Sequence, residues 1–316
     1  MATDERPVHD SADPKFPMTD DIDLPQYYER QCYPFYYDWA LQLLNRKERF
    51  IVTVTGTPGI GKSVFYMYFA HRFLRDYPDW DIVATSCDRR GVFESCCVMK
   101  VDSTSNSIVY EVSDDPIHIS KEKRLYLYDG PPLNLIRGLR TVVFTSPDAQ
   151  WFKVVERKNQ ACIMFMPTWD WIELEDAYDR LNLNRLLTRD ELKLRYEEFG
   201  GCPRQCFAGP DHHRRYRDQL QRAINQVSCL EDMNKLLSIS SQTDAAGNQI
   251  HRVFYLEPDP ENCTFYKFSI IKSILDRVLA RMDVQDSQLR IKLMALFSKE
   301  PPLYSPYGEL FEAFSC

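Results

Sequence analysis

The sequence predicts an α/β fold with a mostly parallel central sheet flanked by helices, followed by a helical lid subdomain and a small α+β tail. Short apolar runs recur along the first half of the chain and alternate with polar or helix-compatible segments, as in parallel sheets connected by helices. After Thr168 the pattern becomes one of amphipathic helices. The predicted strands occupy residues 50–55, 81–86, 124–129, 141–146 and 161–166.

The order of these elements divides the chain into four segments. Residues 1–24 are rich in Asp and Pro and predict a flexible leader. Residues 25–168 form the predicted core, with an antiparallel hairpin inserted at about 92–112, where two strand-like runs flank a polar turn. A helical lid is expected at 169–236, and a C-terminal α+β segment at 237–316.

Local signals refine the lid and the tail. Thr188 is the predicted N-cap of a lid helix, because Glu191 follows three residues later as in a capping box. In the tail we predict a loop at 240–249, a strand at 251–258 and a helix at 266–282.

Composition narrows the classes of function. The chain has 316 residues, 44% of them hydrophobic, which is enough for a large packed core. A net charge of −7 and a pI near 5.5 argue against coating nucleic acid through the overall field, although a local basic face stays open. No run approaches the ~18 apolar residues that a membrane span needs, so no membrane partner is expected.

The cysteines favour a reducing compartment. Ten of them are scattered through a large domain, and Cys96 and Cys97 are neighbours, which fits no small disulfide framework. One cluster has zinc-ligand residue types, but no second pair of usual spacing follows it, so free thiols are the favoured interpretation. The members of this cluster are Cys202, Cys206, His212 and His213.

One short stretch carries the clearest chemistry. Between a β-branched strand and a helix, Gly56 to Ser63 matches the pattern G-x-x-x-x-G-K-S. Glycines let backbone amides curl around a phosphate, Lys62 reaches the β and γ oxygens, and Ser63 is a ligand for Mg²⁺. The predicted fold is therefore that of a P-loop NTPase, which binds the phosphates of a nucleotide together with Mg²⁺. The alternative is a glycine-rich turn without a ligand. The predicted nucleotide-binding residues are Gly56, Thr57, Pro58, Gly59, Ile60, Gly61, Lys62, Ser63 and Val64.

Polar residues at the ends of two later strands complete the predicted site. Asp129 ends the strand 124–129 and would hold Mg²⁺ opposite Ser63. Thr145 and Ser146 end the strand 141–146, where they would lie near the γ-phosphate and orient the attacking water. For this strand end, an ordinary helix cap by Ser146 or Asp148 is an equally weighted alternative.

Two arginines are candidates to balance the phosphate charge. Arg204 follows a tight glycine turn in the lid and would swing onto the phosphates as the lid closes. Arg157 would instead reach a neighbouring subunit as a finger, although a solvated helix face is the favoured interpretation there.

The pattern has one gap. Many hydrolysing P-loop proteins place a Glu directly after the strand-end Asp, but this chain has Gly130 there. Either another acid polarises the water, with Asp148, Glu173 and Glu175 as candidates, or hydrolysis is slow and the nucleotide acts mainly as a conformational clamp.

Six motifs follow one another in the order GTPGIGKS, YLYDG, VVFTSPD, WFKVVERKNQ, MPTWDWIELEDA and RYEEFGGCPRQCF. This ordered set resembles the P-loop NTPase module shared by Crinkler effectors of oomycetes and fungi and retrotransposon hot spot proteins of trypanosomes. The resemblance runs from about residue 30 to the C-terminus and implies an ATPase of the broad AAA+/STAND type. It assigns the phosphate loop to Gly56–Ser63, the Mg²⁺ ligand to Asp129, the sensor strand to Thr145 and Ser146, and a lid position to Arg204.

The same resemblance implies that a nuclease-like or kinase-like effector domain, often found after such modules, would begin near YGELFEAFSC, so that effector activity is not expected here. The chain also lacks an LxLFLAK-type leader. We therefore expect an intracellular protein of the cytoplasm or nucleus, with secretion into a host nucleus as the alternative.

Three functions stay open at this point. The first is Mg²⁺-dependent ATP hydrolysis, and the second is a nucleotide-dependent switch or binding module with little turnover. The third, less favoured, is a small-molecule kinase with lid arginines from residues 212–222. An unknown protein partner and a homo-oligomer are possible partners, and residues 27–37 are the predicted base pocket.

Overall fold

The structure is a computed structural model that describes residues 8–10, 26–45, 50–88, 90–113, 122–134, 138–158, 160–227 and 251–281. These residues cluster into two compact units. The described residues within Met1–Val54, Gly61–Thr145 and Lys158–Ile163 form the first unit. Those within Thr55–Ile60, Ser146–Arg157 and Met164–Cys316 form the second.

The first unit is built around a seven-stranded sheet with the strand order β6-β5-β4-β7-β8-β3-β9. Three neighbouring pairs, β3/β8, β7/β8 and β4/β7, are parallel. The predicted mostly parallel central sheet flanked by helices is therefore confirmed. A separate two-stranded sheet pairs β1 with β2. The strands are β1 (Val8–Asp10), β2 (Gln26–Tyr28), β3 (Ile51–Thr55), β4 (Asp81–Cys87), β5 (Phe93–Val101), β6 (Ile108–Ser113), β7 (Arg124–Asp129), β8 (Thr141–Phe144) and β9 (Ala161–Phe165).

The hairpin expected at about 92–112 consists of β5 and β6, which pair antiparallel and extend the sheet beyond β4. Its turn contains Asp102, whose carboxylate accepts hydrogen bonds from the amides of Thr104 and Ser105 at 2.8 Å each. Because β5 runs antiparallel to β4, its start lies beside the carboxyl end of β4.

Aromatic packing fixes helix α2 (Lys62–Asp76) within the first unit. Phe65 of α2 contacts Tyr33 of helix α1 (Tyr33–Leu44), with ring centroids 4.9 Å apart, and Phe69 contacts Tyr37 at the same distance. Phe144 of β8 packs edge-on against both Phe65 and Phe69, at 5.7 and 5.8 Å. These buried rings hold the first turn of α2 in place relative to β8.

The second unit is mainly helical, with a small antiparallel hairpin of β10 and β11. Its helix α5 begins as predicted: the Thr188 side chain accepts from the amide of Glu191, and the Glu191 side chain accepts from the amide of Thr188. The elements are α3 (Ala149–Glu156), α4 (Trp171–Arg180), a 3₁₀ turn (Leu183–Arg185), α5 (Arg189–Phe199), α6 (Pro203–Cys206), α7 (Pro210–Asn225), β10 (Tyr255–Pro258), β11 (Tyr266–Ser269) and α8 (Lys272–Arg281).

The tail differs from the sequence prediction. The strand predicted at 251–258 occupies only Tyr255–Pro258, and residues 251–253 are helical. The helix predicted at 266–282 is wrong at its start, since Tyr266–Ser269 is a strand paired with β10. There Tyr266 and Phe268 are buried and alternate with less buried neighbours, which is the two-residue period of a strand.

Two further expectations concern the ends of the chain. The predicted leader, 1–24, contains strand Val8–Asp10, and the rest of it lies outside the described residues, as does the predicted loop at 240–249. Among the helices that the structure describes, none is long and apolar enough to cross a bilayer.

The capping box of α5 gives a test of the second unit. We expect Thr188→Ala to lower the free energy of unfolding by about 1 kcal/mol, because an amide of the first turn loses its side-chain acceptor. Urea denaturation measures this change. Glu191→Gln is the matched control, since Gln still accepts from the amide of Thr188 in a capping box. Equal effects of the two substitutions would contradict the interpretation.

Candidate functional site

The glycine-rich loop after β3 has a backbone that only glycine adopts readily at several positions. The φ angles of Gly56, Gly59 and Gly61 are 146°, 89° and 97°. At Gly59 an added Cβ would also lie 2.8 Å from Sγ of Cys202 and 3.0 Å from Cβ of Arg204. The glycine pattern therefore reflects both the turn of the chain and close packing within the second unit.

Four consecutive carbonyl oxygens of this loop accept hydrogen bonds. The Cys202 thiol donates to Pro58 O at 3.2 Å, and the Arg204 amide donates to Gly59 O at 3.3 Å. The indole Nε1 of Trp169 donates to Ile60 O at 2.8 Å. Gly61 O accepts from the Tyr33 hydroxyl at 3.2 Å and from the Phe65 amide at 2.9 Å.

Several backbone amides of the same loop, unlike its carbonyls, have no hydrogen-bond partner within the described residues. Among the described residues, no acceptor is found for the N–H groups of Gly59, Gly61 and Ser63, whereas the Ile60 N–H closes a turn onto Thr57 O. Backbone amides that lack acceptors at a helix start form an anion-binding concavity, to which the helix dipole adds positive charge. This loop thus has four engaged carbonyls, and the amides of Gly59, Gly61 and Ser63 are available to an anion.

The first residues of α2 bring a charge and a hydroxyl to the end of the loop. Lys62 is the first residue of α2 and is buried, with 6% of its surface exposed. Next to it, the Ser63 hydroxyl donates to Oδ1 of Asp129 at 3.1 Å. The expected pairing of Ser63 with the acid at the end of β7 is therefore present in the first unit.

This pair fits Mg²⁺ better than a metal that needs a full protein cage. Within the described residues no group of three or more His, Cys, Asp or Glu side chains is placed to hold a metal. Mg²⁺ prefers hard oxygen donors and is usually held by one or two protein oxygens together with phosphate oxygens and water. The Ser63 hydroxyl and the Asp129 carboxylate are donors of that kind.

Burial determines the protonation state of Tyr66, the tyrosine that follows Ser63 on α2. Tyr66 is fully buried one turn after Ser63, and its hydroxyl donates to Thr85 O at 3.4 Å. Burial raises the pKa of Tyr66 well above its ordinary value, and the negative charge of Asp129 acts in the same direction. Tyr66 therefore stays neutral and acts in packing rather than in proton transfer.

The end of β8 separates the two candidate sensor residues. Thr145 is buried, and its amide donates to Val54 O at 3.0 Å, which extends the pairing of β8 with β3. Ser146 is exposed. The helix cap at this point is Asp148, which accepts from the amide of Trp151 at 2.8 Å.

The two candidate arginines also differ in their surroundings. Arg204 lies on α6, is exposed, and packs its Cβ and Cδ against Gly59. Buried Arg195 supports that segment from α5 by donating to Cys206 O at 3.1 Å and Ala208 O at 2.5 Å. Arg157 is the exposed C-cap residue of α3.

Position 130 cannot carry the side chain that many P-loop enzymes have there. Gly130 has φ +94°, and a Cβ on it would lie 2.3 Å from the carbonyl oxygen of Cys87. A glutamate at this place would meet backbone rather than a movable side chain. The gap in the sequence pattern is therefore imposed by how the end of β4 packs beside β7.

The acids proposed to fill that gap have other partners. Asp148 caps α3, as described above, and Glu175 pairs with Arg189 at 2.5 Å. Glu173 is buried in the first turn of α4. None of these three carboxylates lies in the first unit with Ser63 and Asp129.

The cysteines near the loop contact carbonyl groups. The Cys202 thiol contacts Pro58 O, and the Cys206 thiol donates to Gly200 O at 3.2 Å. Burial raises the pKa of Cys206 well above its ordinary value. The eight cysteines within the described ranges are all free thiols.

The predicted base pocket, residues 27–37, contains packed tyrosines. Tyr27, Tyr28, Tyr33, Tyr36 and Tyr37 are each at most 3% exposed. Burial raises the pKa of Tyr27 and Tyr37 above the ordinary value. In this structure the segment contributes to the core around α2.

The second unit also contains a cleft of about 480 Å³. Its walls include Trp169, Tyr196, Tyr255, Glu257 and Lys272. None of the site residues predicted from the sequence lines it. Leu256 precedes the wall residue Glu257, and its amide donates to Oγ1 of Thr57 in the glycine-rich loop at 2.9 Å. This hydrogen bond connects the cleft to the loop.

Sequence reasoning missed the residues that hold the loop carbonyls. Trp169 and Cys202 lie within quoted motifs, but nothing in their spacing indicates a bond to a loop more than 100 residues earlier. Glu94, which lies beside the end of β4, was also missed.

Comparisons with protein-family models, with curated proteins and with solved structures found no match to this chain.

Gly130 can be tested against a second glycine in the left-handed region. Gly138 has φ +79° but nothing within 4 Å of an added Cβ. Gly138→Ala should therefore cost only the backbone strain of about 1–2 kcal/mol. Gly130→Ala should cost roughly 1–3 kcal/mol more, because its Cβ meets the Cys87 carbonyl. Urea unfolding of the two variants measures the difference, and equal losses would contradict the close packing.

Proposed function

We propose that this chain is a Mg²⁺-dependent P-loop NTPase that binds and hydrolyses ATP. The observation that carries the proposal is the loop of residues 56–63, in which consecutive carbonyls are engaged while the amides of Gly59, Gly61 and Ser63 have no acceptor among the described residues. A triphosphate supplies acceptors for these amides. Lys62 would contact the β- and γ-phosphate oxygens.

The contact between Ser63 and Asp129 supports the Mg²⁺ requirement. Ser63 would bind the ion directly, and Asp129 would hold it through its water shell. When bound, Mg²⁺ neutralises charge on the phosphate oxygens. Thr145 and Ser146 would lie near the γ-phosphate at the end of β8, and Arg204 would contact the phosphates from α6. Assignment to the Crinkler and retrotransposon hot spot type is part of the same proposal.

A nucleotide-dependent switch is the second candidate. It is favoured by the contacts of Trp169, Cys202 and Arg204 with loop residues 58–60, because a change in the loop would act on the segments that bear these residues. Binding without turnover would select this function over hydrolysis.

Lys62 tests whether the loop binds nucleotide. Both Lys62→Ala and the longer, uncharged Lys62→Met should weaken ATP binding roughly 10- to 100-fold, because each removes a charged hydrogen-bond donor. Phosphate release should fall by roughly 10² or more. Calorimetry and a phosphate-release assay measure the two effects.

The control for this experiment is Lys193→Met, on the exposed face of α5, which should bind and hydrolyse as the native chain does. Release that persists after loss of Lys62 would assign the activity to another site or a contaminant. ATP binding without release by the native chain would overturn hydrolysis and leave the switch.

Asp129 tests the metal requirement separately. Asp129→Asn should raise the Mg²⁺ concentration for half-maximal phosphate release by roughly 10- to 100-fold, since an outer-sphere carboxylate is replaced by a neutral amide. Asp218→Asn, on the exposed face of α7, is the control. An unchanged Mg²⁺ dependence in Asp129→Asn would contradict the assignment.

A further inference from the structure

We propose that Glu94 is the carboxylate that accepts the proton of the attacking water, in place of the glutamate that position 130 cannot carry. This assignment rests on the proposed ATP hydrolysis. Glu94 is the second residue of β5 in the hairpin β5–β6 and is exposed at its end of the sheet. Four features of the first unit support it.

The first feature is a β-bulge at Glu94. Ser86 of β4 pairs with Ser95, but the next residue, Cys87, pairs with Phe93, so Glu94 has no partner in the register. A bulge leaves one residue outside the ladder and redirects its side chain, and bulges often lie beside active sites. The chain therefore departs from regular pairing at the one acidic residue of this strand end.

The second feature is the hydrogen bond that orients Glu94. The Ser86 hydroxyl donates to Oε2 of Glu94 at 2.9 Å. Ser86 is also the register partner of Asp129 in the parallel pair β4/β7. Partners in a parallel pair lie on the same face, in strands about 4.8 Å apart. Glu94, Ser86 and Asp129 thus lie on consecutive strands at one edge of the sheet.

The third feature is the availability of the carboxylate. Among the described residues, the Ser86 hydroxyl is the one hydrogen-bond partner of Glu94, and it leaves Oε1 open. Asp88, the other acid nearby, is engaged by the amides of Arg90 and Val92 at 2.8 Å each and by the Arg90 side chain. Asp88 is therefore a turn residue.

The electrostatics of Cys87 agree with this arrangement. Burial, together with negative charge on Glu94, Asp88 and Asp129, raises the pKa of its thiol to about 12. The thiol consequently stays protonated at neutral pH. It is a neutral neighbour to the carboxylates and does not compete as a base.

The fourth feature joins the bulge to Gly130. The carbonyl oxygen of Cys87, the residue at the bulge, is the atom 2.3 Å from a Cβ at position 130. The same irregularity that excludes a side chain after Asp129 thus directs Glu94 toward this edge. The end of β7 therefore has no glutamate after Asp129, and the carboxylate of Glu94 lies on β5, two strands away in the sheet.

The reaction step is a simple proton transfer coupled to hydrolysis. One proton of water passes to Oε1 of Glu94 while the water oxygen bonds to the γ-phosphorus. The bond from that phosphorus to the bridging oxygen breaks, and its electron pair stays on the β-phosphate. The products are ADP and inorganic phosphate, and Glu94 returns its proton to solvent.

Glu94→Gln is the test, because the amide oxygen still accepts from Ser86 and the side chain is exposed, so folding should be unchanged. We expect the rate of phosphate release to fall by roughly 10² or more. ATP affinity should match that of the native chain, and nucleotide recovered from the variant should be ATP rather than ADP. Glu111→Gln, exposed on β6, is the matched control and should hydrolyse normally.

The outcomes separate the two proposals. Native-like phosphate release by Glu94→Gln, with Lys62→Met inactive, would overturn the role of Glu94 and leave the proposed hydrolysis intact. A parallel loss of ATP affinity in Glu94→Gln would also overturn it, since a proton acceptor acts on turnover. If the native chain binds no ATP, the proposed function fails and Glu94 with it.

Discussion

The structure around the candidate site depends on the hydrogen bonds to four successive loop carbonyls, those of Pro58, Gly59, Ile60 and Gly61. A glycine-rich loop without such bonds would pay a large conformational entropy to become ordered around a ligand. Here side chains and amides from distant parts of the chain have already fixed the carbonyls. The backbone of these residues is therefore held in place before an anion binds.

The end of β4 imposes the second constraint. The Cys87 carbonyl there packs against Gly130, the bulge in β5 frees Glu94 from the ladder, and Ser86 joins Glu94 to the strand of Asp129. A missing glutamate in a sequence motif thus need not mean missing chemistry. What matters is whether a carboxylate reaches the same edge of the sheet, and a hairpin inserted beside β4 provides one.

The predictable parts were those set by local sequence. The strand Arg124–Asp129 has the bounds predicted from its apolar run, because burial on both faces leaves a local apolar pattern in the sequence. Thr188 caps its helix as predicted, because a capping box is also a local signal. The pairing of Ser63 with Asp129 followed from strand order. Glu94 depends on a one-residue register shift, and Tyr266–Ser269 is a strand through its pairing with β10. Such pairing is nonlocal, so periodicity alone missed both.

Hydrolysis and switching need not be exclusive for this loop. The γ-phosphate adds charge-assisted hydrogen bonds that ADP lacks, so its departure would weaken the hold on the amides of Gly59 and Gly61. The carbonyls of the same two peptide units, Pro58 O and Ile60 O, are bonded to Cys202 and Trp169, within the second unit. A shift of these peptides must change both sets of bonds, because each peptide plane is rigid. Turnover at Glu94 would then set how long the loop holds its triphosphate conformation, and a slow enzyme would serve as a timed switch.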